Sequence, residues 1–180
     1  KLFFLSVKGQ IYQEHPDGTC RLVANTSSNL QTSQTYGSFR KHHEWIIFTN
    51  EGGFTFDLNT CQLSKNKELD IKKGLVVPDN KGNYWIHNQT GKVWYVDKDI
   101  KKVKSFQLMP DELVSYIDGE RYHVVHDSRD IIWISTYGNG LFAYDKKTEE
   151  LQHFKTDVGE VSHINSNFLQ YVMEDRAGGI

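Results

Sequence analysis

The chain has 180 residues, 38% hydrophobic and 13% aromatic, with a net charge of −2. That is long enough to bury a real core and too rich in apolar residues for disorder. The near-neutral charge removes the electrostatic case for nucleic acid or an anionic membrane as a partner, and no stretch approaches the ~20 apolar residues of a membrane-spanning helix.

The opening Lys1-Leu2-Phe3-Phe4-Leu5-Ser6-Val7 is too short for a signal peptide and leads straight into a strand-turn-strand pattern, so targeting information is expected outside this segment. Gly9-Gln10-Ile11-Tyr12-Gln13-Glu14 is the first of four similar units, each a turn glycine followed by an aromatic strand. The others are Gly52-Gly53-Phe54-Thr55-Phe56-Asp57, Gly91-Lys92-Val93-Trp94-Tyr95-Val96-Asp97 and Gly140-Leu141-Phe142-Ala143-Tyr144-Asp145. Each glycine suits a positive φ at a hairpin turn, and Tyr137-Gly138-Asn139-Gly140 is the strongest turn signal in the chain. Between these units runs a second motif. Val77-Pro78-Asp79-Asn80-Lys81-Gly82-Asn83-Tyr84-Trp85-Ile86 returns as Val125-His126-Asp127-Ser128-Arg129-Asp130-Ile131-Ile132-Trp133-Ile134, and again as Met173-Glu174-Asp175-Arg176-Ala177-Gly178-Gly179-Ile180. Asp79, Asp127 and Asp175 stand 48 residues apart, and Trp45 precedes Trp85 by 40. A period of about 40–50 residues made of short strands and turns is the signature of a β-propeller, one blade per repeat.

On a four-stranded antiparallel blade, Tyr122–His126 is the innermost strand, 131–136 the second, Leu141–Asp145 the third and Leu151–Phe154 the outermost. The predicted division is a partial blade over 1–30, blades over 31–70, 71–110 and 111–160, and the first strand of a further blade within 161–180. The chain thus starts at a second strand, Leu2–Leu5, and ends after an innermost one, Phe168–Met173. Trp45, Trp85 and Trp133 are predicted at equivalent, buried second-strand positions. Either Phe168–Met173 closes a small ring on Leu2–Leu5, or the chain is a piece of a longer propeller; the second reading is preferred. A blade cannot bury its own faces and unpaired edges invite association, so a piece produced alone is expected to associate.

Eight histidines raise the question of metal. His123 and His126 fall on opposite faces of a strand, adjacent His42 and His43 diverge, and no zinc-type spacing is present, so no metal site and no cofactor are expected. Cys20 and Cys61 fall early in the outermost strands of successive blades, too far apart for a disulfide, and are expected free. Asp79-x-x-Gly82-x-x-Trp85 is similar to the Asp-box of sialidase propellers but has one residue more between Asp and Gly. Its structural role is an aspartate capping a turn and a tryptophan packing between blades. The sequon-like Asn25-Thr26-Ser27 and Asn88-Gln89-Thr90 matter only in a eukaryotic secreted protein.

The stretch from Asp127 through Trp133 and Gly140 to Asp145 resembles the two-component regulator propeller repeat, with Asp130 and Ser135 where glycine is usual. The resemblance is close over 121–180, fair over 75–100 and thin before residue 60. It implies a segment of the periplasmic sensor of a Bacteroidetes hybrid two-component protein, in which two propellers precede a β-sandwich, a membrane helix, a histidine kinase and a DNA-binding domain. It further implies a seven-bladed ring, an oligosaccharide ligand, a homodimeric full-length protein and control of glycan-utilisation genes. Nothing in these residues carries a kinase, nucleotide-binding or DNA-reading motif. Two other readings stay open: a propeller enzyme of the lyase or glycosidase kind, and a protein-interaction platform. The turns between second and third strands and the crossings between blades emerge on one face. On it stand Asn50, Glu51, Gln89, Tyr137, Asn139, His163 and Asn165, amides, a carboxylate and an aromatic of the kind that bind sugar hydroxyls and CH faces.

Overall fold

The computed structural model describes residues 1–27, 33–100, 103–114, 122–156 and 164–180. The chain divides into two compact units, Lys1–Val76 and Val77–Ile180, and every sheet in either is antiparallel. In the first unit β1 (Phe3–Leu5), β2 (Gln10–Glu14) and β3 (Cys20–Asn25) make a three-stranded sheet. The four-stranded blade β4 (Thr35–Lys41), β5 (Glu44–Thr49), β6 (Gly52–Asp57) and β7 (Gln62–Lys65) follows. In the second unit, β8 (Leu75–Pro78, which begins just ahead of it), β9 (Tyr84–His87), β10 (Lys92–Val96) and β11 (Val103–Gln107) form one blade. After the one-turn helix α1 (Asp111–Val114), β12 (Tyr122–His126), β13 (Ile131–Thr136), β14 (Leu141–Asp145) and β15 (Leu151–Phe154) form the next. Strands pair strictly in chain order, as the alternating short strands and turn residues require.

The aspartate motif is a self-capping turn. Asp79 Oδ1 accepts the N–H groups of Lys81 and Asn83, both at 2.9 Å, Asp127 Oδ1 those of Arg129 and Ile131 at 2.9 Å, and Asp175 Oδ1 those of Ala177 and Gly179 at 2.8 Å. The fourth residue of each turn is left-handed: Gly82 at φ 83°, Asp130 at φ 72° and Gly178 at φ 82°. Asp130 therefore keeps the turn that glycine makes in the other two copies, because aspartate is among the few L-residues that tolerate this region.

Trp85 and Trp133 are equivalent, each pairing two residues before the closing aspartate of its blade, with Tyr95 and Ala143. Trp85 is buried, 1% exposed, in a core with Val93, Tyr95, Leu108, Val124, Ile132, Ile134, Phe142 and Tyr144 drawn from both blades of its unit. Its indole N–H has no hydrogen-bond partner among the described residues. Two residues upstream the repeats differ: Asn83 Nδ2 donates to Asp79 Oδ2 at 2.8 Å, whereas the matching position in the next repeat is Ile131, and Asp127 Oδ2 accepts the Trp133 indole at 2.9 Å together with Arg129 Nε and Nη2 at 3.1 and 2.9 Å. Trp133 is half-buried, with its ring 5.9 Å from that of Phe154.

Trp45 does not share that position, contrary to the sequence alignment. It pairs with Phe56, one residue before Asp57. The β5–β6 turn has two residues, Asn50 and Glu51, whereas five separate the paired ends His87–Val93 and Ser135–Leu141. An even turn against an odd one shifts register by one and turns every side chain to the other face. Trp45 accordingly packs, half-buried, against the cluster of Ile11, Ile47, Phe56 and Leu58. Residues 168–173 are not the strand that the pattern predicts: among the described residues the one bridge there is Tyr137–Phe168. An innermost strand gains its ladder from the second strand of its own blade, and the described residues hold no such partner for it. Cys20 is exposed, Cys61 half-buried, and both are free thiols.

Candidate functional site

The turns between second and third strands and the crossings between blades do meet, tied by hydrogen bonds. In the second unit, Asn167 C=O accepts the N–H groups of Gly138 and Gly140 at 2.9 Å, and Leu169 N–H donates to Thr136 C=O at 3.0 Å. Thr136 organises the turn from within: its hydroxyl donates to Gly140 C=O at 2.9 Å and accepts Asn139 N–H at 3.1 Å. Thr49 does the same in the first unit, towards Gly52 C=O and Glu51 N–H at 3.3 and 3.0 Å. Lys73 N–H donates to Thr49 C=O at 2.8 Å, just as Leu169 N–H does to Thr136 C=O.

Several polar groups predicted to meet a ligand are committed to this scaffold. Asn139 Nδ2 donates to Leu108 C=O at 2.5 Å, while its own carbonyl accepts His153 Nε2 at 2.7 Å. Asn50 Oδ1 accepts Gln34 N–H at 2.8 Å. Glu51 takes the Ser27 hydroxyl on its carboxylate at 2.6 Å and the Lys65 ammonium on its carbonyl. Gln89 and Asn165 are exposed. Tyr137 is half-buried, its ring edge-to-face with Phe168 at 5.3 Å and 75°. His163 lies outside the described residues.

Phe168 was missed as a site residue because the repeat pattern assigns it to a strand interior, yet it is 59% exposed beside Tyr137. Tyr171, 66% exposed, lies with its ring centre 3.8 Å from that of His123, tilted by 30°. The signal available in sequence was the aromatic spacing Phe168–Tyr171 next to an amide-rich crossing. Phe168 and Tyr137, with the exposed Asn165 three residues ahead of Phe168, form an aromatic and amide surface in the second unit.

Burial pushes His87 down to about 4, so it is neutral at physiological pH. Its ring lies 4.6 Å from that of Tyr122, and its Nδ1 has no hydrogen-bond partner among the described residues. Burial also lowers His123, whose Nδ1 accepts Val172 N–H at 3.3 Å. The other strongly shifted group, Tyr95, is pushed up to about 12 by burial and by the nearby carboxylates of Asp79 and Asp97. His87 ends its strand beside the β9–β10 turn and Tyr95 lies at the far end of β10, so the two make no acid–base pair. Among the described residues no three His, Cys, Asp or Glu side chains converge to hold a metal ion.

No family model matches the chain, and no curated protein matches it. Solved structures do. An extracellular domain assigned to a hybrid two-component system of B. thetaiotaomicron is 14% identical with a TM-score of 0.52, over 98% of this chain and 23% of that one. The extracellular domain of a second such system from the same organism is 15% identical with a TM-score of 0.46, over 91% and 24%. A virginiamycin B lyase from Staphylococcus aureus is 12% identical with a TM-score of 0.47, over 87% and 55%. This chain spans about a quarter of the length of the first neighbour. The first likeness carries the fold: the chain is all-β with the antiparallel blades of a propeller, three of them four-stranded among the described residues. Among the described residues no helix is long and apolar enough to cross a membrane.

Proposed function

We propose that this chain is part of the periplasmic sensor of a hybrid two-component signalling protein, that it binds an oligosaccharide, and that it performs no catalysis itself. The observation that carries the reading is the surface of Phe168, Tyr137 and Asn165, with exposed aromatic area beside an exposed amide on a turn made rigid by Thr136 and Asn167. Sugars combine apolar CH faces with dense hydroxyl groups, and an aromatic ring flanked by amides serves both. A scaffold whose own polar groups are satisfied presents such a surface without reorganising, which limits the entropy lost on binding. The full-length protein is read as a homodimeric membrane histidine kinase that controls glycan-utilisation genes. The extracellular two-component neighbour is consistent with that setting through its fold.

Calorimetric titration of the chain with purified plant and host oligosaccharides tests the reading. At least one is expected to bind, with Phe168→Ala and Tyr137→Ala each weakening it tenfold or more while the fold persists. Unchanged affinity in both variants removes this surface from the account.

A further inference from the structure

We propose that a second site, a polar cavity between β10 and β14 of the second unit, binds one acidic sugar residue of the hexuronate class. It sits at the other end of the strands from the Tyr137–Phe168 surface and does not depend on the sensor reading. The cavity holds about 240 Å³. That suits a single hexose ring and falls short of the roughly 300–1,000 Å³ of pockets for drug-sized ligands.

Its floor is two buried phenols, Tyr95 and Tyr144, 2% and 1% exposed. Burial and the neighbouring carboxylates keep Tyr95 protonated to about pH 12, so it stays a donor. The Tyr144 oxygen accepts a hydrogen bond from Lys104, whose ammonium also pairs with Glu149 at 2.6 Å. The Tyr144 proton is then directed away from Lys104.

Lys98 and Lys146 line the same cavity. The main-chain N–H of Lys98 donates to Asn83 Oδ1 at 3.2 Å, which holds the residue at the cavity wall, and the Lys146 ammonium lies 5.9 Å from the Tyr95 ring centre. Among the described residues neither lysine has a carboxylate within 4 Å, and the Lys146 charge acts at longer range on Asp130. Asp97, whose Oδ1 accepts Asp99 N–H at 3.1 Å and whose carboxylate keeps acceptor capacity beyond that bond, and Asp99 complete the lining.

This mixture selects a chemical class. A bare anion would face two carboxylates as well as two ammonium groups. A neutral sugar would meet the carboxylates with its hydroxyls and leave both ammonium groups unmatched. A hydroxylated ring carrying one carboxylate matches both sets: its carboxylate to Lys98 and Lys146, its hydroxyls to Asp97, Asp99 and the phenols.

The test is titration with sodium glucuronate, glucose and acetate, followed by amide chemical shifts. Glucuronate is expected to bind saturably and at least tenfold more tightly than either control. Lys98→Ala and Lys146→Ala should each weaken it fivefold or more, with Tyr95→Phe as a smaller loss. Phe168→Ala should leave it unchanged, so that failure at either surface is separable from failure at the other. Absence of saturable binding, equal binding of glucose or acetate, or indifference to both lysine variants overturns the proposal.

Discussion

Replacing Trp85 by alanine probes the blade-to-blade core directly. A buried tryptophan removes roughly 150–250 Å² from water, and at about 25 cal/mol per Å² that corresponds to about 5 kcal/mol. Because a compact unfolded state already hides part of this area, about 4 kcal/mol is expected, within the ~3–5 kcal/mol range for large aromatic truncations. With a urea slope of about 2 kcal/mol per molar, the unfolding midpoint falls by about 2 M. Half-buried Trp133→Ala should cost less. The phenylalanine variants should not keep that order. Trp85→Phe removes an N–H that has no partner, whereas Trp133→Phe takes a donor from the buried Asp127 carboxylate, at about 1.5–3 kcal/mol for a charge-assisted bond. Trp133→Phe should therefore cost at least as much as Trp85→Phe. A Trp85→Ala loss below about 1 kcal/mol in urea unfolding monitored by circular dichroism would refute the packing described.

Gly91 has φ 70° and an added Cβ would collide with the Met109 carbonyl, so Gly91→Ala should cost more than about 2 kcal/mol in the same assay; Gly18 has φ 78° with open space around it, so Gly18→Ala should cost only about 1 kcal/mol. Burial alone would raise Asp127, but bonds from Trp133, Ile131 and Arg129 outweigh it and hold its carboxyl below 3.8. A depressed folded value means stabilisation that is present above the unfolded value and lost as pH falls through the folded one. Thermal unfolding of Asp127→Asn between pH 5 and 3 should show a flatter pH dependence than the parent, and an identical slope would contradict this. Asp130→Gly should retain the turn and lose the His126 Nε2 contact at 2.5 Å, visible as a change in the His126 ring signals by NMR.

Much of this fold was legible because the repeat is written in side chains that act locally. Asp79, Asp127 and Asp175 each cap their own turn, so their identity and spacing determine the structure without reference to neighbours. Trp45 was misread because the register of a hairpin depends on turn length, and a two-residue turn at Asn50-Glu51 reverses faces that a Trp-to-Trp alignment treats as equal. The strand predicted at 168–173 failed for a non-local reason, since a ladder needs a partner that a pattern cannot supply. The site was legible only as a face. Asn50, Glu51 and Asn139 are the residue types that bind sugars, and equally those that tie turns to crossings; the hydrogen bonds that separate the two roles join residues 16 to 31 apart in sequence. The exposed aromatic area of Phe168 lies at the start of that same segment, at its bridge to Tyr137.

The most direct test of the account is an NMR titration of the isotope-labelled chain with an oligosaccharide that binds in calorimetry. The account predicts that the largest amide shifts fall on Tyr137, Gly138, Asn165 and Phe168, with those around Thr49 and Asn50 unmoved. Shifts confined to other parts of the chain, with 137–138 and 165–168 silent, would contradict it.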